Sequence, residues 1–174
     1  MKQLIQMKNS LEKIALGGGC HWCTEAVFQS LIGAEKVEQG YVASHADNSS
    51  FSEAVIVHFH PTVIRLNQLI EIHLYTHKSK SMHSMRNKYR SAVYTYSEAQ
   101  NTEAIKILEK LQPEFNNQLI TQVFPFKIFK ASREELQNYY LKDPQKPFCK
   151  TFIAPKLKIL LKQFSGNIKP AYKI

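Results

Sequence analysis

Cys20 stands between three glycines, Gly17, Gly18 and Gly19, and the stretch His21-Trp22-Cys23-Thr24-Glu25, which reads as a helix start. A helix N-terminus offers unpaired N–H groups and a partial positive charge, and both favour thiolate over thiol. The glycines allow the backbone to approach closely at that point. Cys20 is therefore placed where a nucleophile is made. Cys23 completes a C-x-x-C spacing that suits a redox disulfide or half of a zinc site equally well. Three chemistries stay open on these residues alone.

A nucleophilic thiol needs a pocket and an acid. Trp22 offers an apolar wall, although a tryptophan there also serves as plain core. Glu53 heads an otherwise apolar run, Ala54 to Phe59. A partly desolvated carboxyl at that point holds its proton more tightly and can act as a general acid, whereas an exposed strand end would leave it inert. Tyr41 and Tyr89 fall at strand boundaries, from which phenols can donate to an oxyanion. His58 and His60 have H-x-H spacing, and His73 and His77 lie one helical turn apart. Such isolated pairs are more often structural than metal-binding, and no metal site is assigned.

These residues must be carried by regular elements. Leu11 to Leu16 reads as a strand running into the glycines, and Trp22 to Leu31 as a helix that Gly33 stops. Val37 to Val42 is a strand, followed by the polar loop His45 to Ser50. Glu53 to Phe59 alternates, with Val55, Val57 and Phe59 on one side, as a strand does. Val63 to Thr76 is helical. Lys78 to Lys88 is a polar and basic loop of eleven residues without an acid, long enough to suggest function. Ser91 to Tyr96 and Ile120 to Phe124 read as strands, with the amphipathic helix Glu98 to Leu111 between them. Ser132 to Leu141 opens like a capped helix, with Glu135 three residues after Ser132. Strands and helices thus alternate, and an α/β layered sandwich follows, its sheet covered largely on one side by helices.

The chain has 174 residues, 44% of them apolar, and a net charge of +9. That length predicts one domain, residues 1–174. No run approaches the roughly 20 apolar residues of a membrane helix. Met1 to Lys13 is interrupted by polar residues and has no secretory apolar core. A cytoplasmic protein is expected. Three cysteines, Cys20, Cys23 and Cys149, are too few for a secreted disulfide framework and point to reactivity, metal binding or packing. The basic excess is dispersed except after Pro155, where Lys156, Lys158, Lys162, Lys169 and Lys173 interleave with leucines. This reads as an amphipathic helix with a solvated face, in a C-terminal extension over 150–174, and neither nucleic acid nor membrane is expected as a partner.

Several segments together resemble one family, the A-class peptide methionine sulfoxide reductases. That family has Gly-Cys-Phe-Trp-Gly and then a glutamate, and here stand Gly19-Cys20-His21-Trp22-Cys23 and Glu25. Its Gly-Tyr pair matches Gly40-Tyr41, and its glutamate before a valine-rich strand matches Glu53-Ala54-Val55-Ile56-Val57. Its Gln-Tyr-Arg-Ser segment matches Lys88-Tyr89-Arg90-Ser91, and its closing Asn-Pro-x-Gly-Tyr-Cys resembles Asp143 to Cys149. The resemblance runs over residues 11–149 in the family's order. His21 replaces a pocket-lining phenylalanine, Cys23 a glycine, Ser84 an acidic residue, and Leu136-Gln137 a His-Gln pair.

The resemblance implies an α+β fold with a ferredoxin-like core and reduction of methionine-S-sulfoxide, free or in proteins. Cys20 would attack the sulfur, Glu53 would protonate the oxygen, and Tyr41 and Tyr89 would steady it. His21, Trp22 and Ser84 would fall among the substrate-binding residues. Cys20 would become a sulfenic acid, resolved by Cys149, with Cys23 as the alternative, and thioredoxin or a similar dithiol would reopen the disulfide. No metal or organic cofactor is implied, and a monomer is expected. Two rival functions use the same residues: a C-x-x-C thiol-disulfide oxidoreductase, and a zinc-binding, non-catalytic domain.

Overall fold

The computed structural model describes residues 10–173. Six strands form one sheet in the order β5-β4-β1-β3-β2-β6: β1 (Glu12–Gly17), β2 (Ala34–Ala43), β3 (Ser52–Phe59), β4 (Ala92–Thr95), β5 (Gln122–Pro125) and β6 (Ile128–Ala131). Between them run α1 (His21–Gln29), α2 (Leu66–Thr76) and α3 (Glu98–Leu111); the one-turn α4 (Tyr139–Lys142) and then α5 (Ala154–Gln163) follow the sheet. The central path β1-α1-β2-β3-α2-β4, with all four strands antiparallel, is the ferredoxin-like arrangement. β5 adds in parallel beside β4, so the sheet is mixed.

Alternation along the strands decides what each face does. Ile14, Leu16, Val55, Val57, Phe59 and Val93 point to the side carrying the helices and join Val27, Phe28, Leu69, Ile70 and Leu74 in the main core. Residues one step out of phase, Ala15, Ala54, Ile56, Ala92 and Tyr94, meet Phe124, Phe126 and Phe129 on the other face. Small side chains there let β5 and β6 bring their phenylalanines against the sheet. Glu53 shares its phase with Val55 and Val57 and so falls on the helix side. β2 pairs with β3 so that Tyr41 is directly opposite Glu53. Register alone thus puts a phenol beside the carboxyl on one face.

The segment after β6 departs from expectation. Ser132 does not cap a helix; its hydroxyl donates to the Gln39 carbonyl at 3.2 Å and to Gln39 Oε1 at 2.7 Å. Only a 3-10 turn (Glu134–Leu136) and α4 form, separated by Asn138 in the left-handed region. The C-terminal helix is present, entered through a π-helical turn at Cys149–Ile153. The lysines of the C-terminal segment do not all face solvent. Lys156 Nζ donates to the Thr76 carbonyl, and Lys169 Nζ to those of Gln29 and Ala34 at 2.9 and 3.3 Å. Each meets carbonyls left open at the end of another element. Among the described residues no helix is long and apolar enough to cross a membrane.

Candidate active site

β1 ends at Gly17, and the chain turns through Gly18 and Gly19 into α1 with Cys20 as its N-cap. Gly18 is required by space: a Cβ there would stand 2.4 Å from the His77 ring. His77 and His73 form the floor beneath the turn, stacked with ring centroids 4.1 Å apart. His73 Nε2 bonds the Gly17 carbonyl at 2.8 Å, and His77 Nε2 meets the Ser91 hydroxyl at 2.8 Å. Above the turn, Arg86 donates to the carbonyls of Gly18 and Tyr89, each at 2.8 Å, and to that of Ser81 at 2.8 Å. One guanidinium therefore folds the basic loop over the cysteine turn.

The far end of that loop is tied to β3. Glu53 N–H donates to the Lys88 carbonyl at 2.9 Å, the Ser52 hydroxyl donates to the same oxygen at 3.0 Å, and Arg90 N–H donates back to Ser52 Oγ at 2.7 Å. Tyr89 is thereby fixed between the loop and the strand that carries Glu53. A cavity of about 440 Å³ opens at Cys20, walled by Tyr89, Met85, Phe148 and Phe152. Lys78, His83 and Lys156 also line it, with no acidic side chain.

Within this frame the Cys20 thiol is held down to about 7. The largest cause is the Cys23 S–H, which donates to the Cys20 sulfur; burial works against it, the amides of Trp22 and Cys23 help, and the nearby charge of Glu53 opposes. The Cys20 side chain makes no capping hydrogen bond to α1. Cys23 is driven far up by the same contact and by burial, so it is the thiol of the pair. Lys156 places an ammonium near both sulfurs; burial lowers its own pKa and the sulfurs oppose that. Cys149 is buried in the same small cluster as Cys23, with Cys20 packed against it, and its Sγ lies 3.5 Å from the Asp143 carbonyl.

Glu53 is only 6% exposed. Its Oε1 lies 3.0 Å from His21 Nε2, while Oε2 is buried without any partner. His21 is turned into the fold, 2% exposed, with Nδ1 on the Gly40 carbonyl at 2.8 Å. Both ring nitrogens of His21, expected among the substrate-binding residues, are engaged by the fold, and the ring, like Trp22, Tyr41 and Glu53, is not in the cavity wall. Tyr41 meets the His21 ring edge-on at 5.2 Å. Gly40 admits this arrangement, since a Cβ there would come within 2.2 Å of the Lys130 carbonyl on the neighbouring strand.

Trp22 stacks on Tyr139 at 4.1 Å with rings within 4° of parallel, and Phe148 meets it edge-on at 5.2 Å. Tyr139 and Phe148 escaped the sequence reading, as did the role of Glu25. That buried carboxylate accepts from the N–H groups of Asn138 and Tyr139 at 3.0 and 3.2 Å and from Gln39 Nε2 at 3.0 Å. It is the N-terminal partner of α4 and so sets Tyr139 against Trp22; burial raises its pKa in spite of these donors. A glutamate midway along the otherwise mostly apolar α1 was the one available signal. Ser84 is exposed and is not in the cavity wall, although its neighbours His83 and Met85 are. His58 and His60 pair separately with Glu38, at 2.7 Å, and with Glu35. Among the described residues no three His, Cys, Asp or Glu side chains are grouped to hold a metal.

Residues 12–168 match the family described as peptide methionine sulfoxide reductase. An MsrA of that name from Trichodesmium erythraeum is 34% identical over 174 residues, covering 91% of this chain and 98% of its own. In reduced form, Mxr1 of Saccharomyces cerevisiae superimposes with a TM-score of 0.70 at 26% identity, over 82% of this chain and 91% of that one. Solved in complex with Trx2, the yeast protein aligns with a TM-score of 0.58 at 27% identity, over 75% and 85% of the two chains. The match begins with the strand that leads to Cys20 and runs past α5: the chain belongs to the peptide methionine sulfoxide reductases, in the MsrA class.

Proposed function

We propose that this chain reduces methionine-S-sulfoxide at Cys20, with Cys20 as nucleophile and Glu53, buried near Cys20 rather than lining the cavity, as acid. The observation that carries the reading is the pairing of a thiol lowered to about 7 with a buried carboxyl whose second oxygen has no partner. A buried polar atom left unpaired is rare and calls for an explanation; a sulfoxide oxygen received at Glu53 Oε2 supplies one. The Cys20 thiolate attacks the sulfoxide sulfur, and the oxygen takes the proton of Glu53 as it passes to the cysteine. Methionine leaves, Cys20 is a sulfenic acid, and Glu53 is a carboxylate. Tyr41 and Tyr89, which flank Glu53 through strand register and loop closure, steady the oxygen.

A second thiol then condenses with the sulfenic acid, forming a disulfide and releasing water. Cys149 is the proposed resolving residue, since it enters the same cluster from a separate segment. Cys23 is the second reading, favoured by its direct contact with the Cys20 sulfur. An external dithiol of the thioredoxin class reopens either disulfide, and the chemistry calls for no other cofactor. A cytoplasmic setting suits it, because dithiol pools are kept reduced there.

The test is a single turnover on methionine-S-sulfoxide without reductant, followed by non-reducing peptide mapping. Wild type should release one methionine and yield a Cys20–Cys149 disulfide, and Cys20→Ser should release none even with dithiothreitol. Turnover by Cys20→Ser would remove the nucleophile assignment; a Cys20–Cys23 product would move resolution to Cys23.

A further inference from the structure

We propose that His21 is a positioning residue for the acid: as a doubly protonated imidazolium it fixes Glu53 Oε1, leaves Oε2 free for the sulfoxide oxygen, and compensates the carboxylate formed when that proton is given up. This rests on the reading of Glu53 as the acid.

Geometry ties the protonation of the ring to the oxygen of Glu53 that carries the proton. Nδ1 lies 2.8 Å from the Gly40 carbonyl, an oxygen that can only accept, so Nδ1 carries a hydrogen. Nε2 lies 3.0 Å from Glu53 Oε1. If the Glu53 proton is on Oε2, where it can be delivered, Oε1 is an acceptor as well. Two lone pairs would then face each other in a buried site unless Nε2 also carries a hydrogen. The deliverable form is therefore imidazolium beside a carboxyl whose Oε2–H is aimed away from the ring.

In the forward step that Oε2–H bond breaks, the proton goes to the sulfoxide oxygen, and the electron pair stays on Glu53. The new charge is met at 3.0 Å by Nε2–H, a charge-assisted bond that strengthens as the reaction proceeds. Other charged and titratable groups face this pair from several elements. Burial disfavours the imidazolium, but Glu53 as the carboxylate formed in this step, the Gly40 carbonyl and the Cys20 thiolate outweigh it, and His21 is raised above its ordinary value. Glu25, which feels His21 in turn, adds a further carboxyl on α1. Tyr41 meets the ring from β2 at 5.2 Å, and Lys88, which interacts with Glu53, is the cation on the loop side.

The experiment compares single-turnover sulfenic-acid formation in wild type, His21→Phe and His21→Gln from pH 5.5 to 9.5, with ¹⁵N NMR of the His21 ring in the resting wild-type enzyme. His21→Phe should be slower by about 10- to 100-fold at pH 6, the scale of a hydrogen bond to a charged group. The deficit should shrink as pH rises through the His21 pKa and wild type loses its advantage. His21→Gln, a neutral donor, should lie between the two, with no ionisation of its own. The ring should carry hydrogen on both nitrogens at pH 6.5. A deficit independent of pH would reduce His21 to packing, and an unprotonated Nε2 at pH 6.5 would overturn the proposal directly. Glu53→Gln separates this from the reading beneath it. If that variant is inactive while His21→Phe matches wild type, only the role of His21 fails; if it retains the wild-type rate, the acid assignment fails as well.

Discussion

Two sets of buried histidines flank the Cys20 turn, and they are driven in opposite directions. His21 meets the Glu53 carboxylate and is raised, despite burial that pulls it down. His73 is just as enclosed, but burial is unopposed by any carboxylate there; it is pushed down to about 4, and His77 falls well below its usual value for the same reason. Burial by itself thus makes a neutral imidazole, which braces the turn through the Gly17 carbonyl and Ser91. Burial with one carboxylate at 3.0 Å makes a cation. Scaffold and chemistry are built from one residue type and separated by one partner.

Removing that partner should produce the largest effect. Glu53→Gln should slow sulfenic-acid formation by roughly 10² to 10⁴-fold, the usual range for loss of a general acid. It should also lower the His21 pKa, so that His21 joins His73 and His77 in direction. Rapid-quench kinetics and an NMR titration read the two consequences on one variant. A His21 that stays raised without the carboxylate would break the contrast.

Next in size is the acid response of the floor. The pKa of His73 is depressed, so the unfolded chain binds the proton more readily. Its contribution to stability is complete above about pH 6.5 and is lost as pH falls toward 4. For a fully buried imidazole the loss over that window is about 3 kcal/mol. Urea unfolding of wild type and His73→Gln at several pH values should show the gap between them changing most between pH 6.5 and 4. His21 has the reverse sign. Its contribution is present below about pH 6.5 and is lost as pH rises through its raised value, so the wild type to His21→Phe gap should narrow on the alkaline side.

How much of this could be read from the chain depended on how local each feature is. Helix α3 runs Glu98 to Leu111 as expected, since its apolar stripe and the Ser97 cap, which accepts from Gln100 N–H at 3.1 Å, are all within one segment. The face of Glu53 was legible from period-two alternation with Val55 and Val57. The partner of Glu53 was not, because the meeting with His21 depends on how α1 lies across the β2–β3 register. Strand β6 went unread because its pattern is four residues long and its partner, β2, is far away in sequence. The helix expected over Ser132 to Leu141 failed because Ser132 is taken by Gln39 and Asn138 by Glu25, both tertiary contacts. Lys156 looked like one of several surface cations, and only the placement of α5 against the end of α2 turns it inward.

The thiol between the two histidine sets owes little to His73 and His77. Its principal support is the Cys23 S–H, with the Trp22 amide behind it, and neither His73 nor His77 is among the main causes. Cys23→Ala removes that donor and leaves a small apolar side chain where a buried thiol was. The Cys20 pKa should then climb from about 7 toward 9, the ordinary value for a thiol. At pH 7 the thiolate fraction drops with it, and alkylation by iodoacetamide should slow by up to about tenfold, tempered by the greater intrinsic nucleophilicity of a more basic thiolate. His73→Gln, which keeps a donor to the Gly17 carbonyl, should leave the alkylation profile near that of wild type. If His73→Gln shifted it as far as Cys23→Ala, the floor would be setting the chemistry. The separation between bracing and positioning histidines would then have to be redrawn at Cys20 itself.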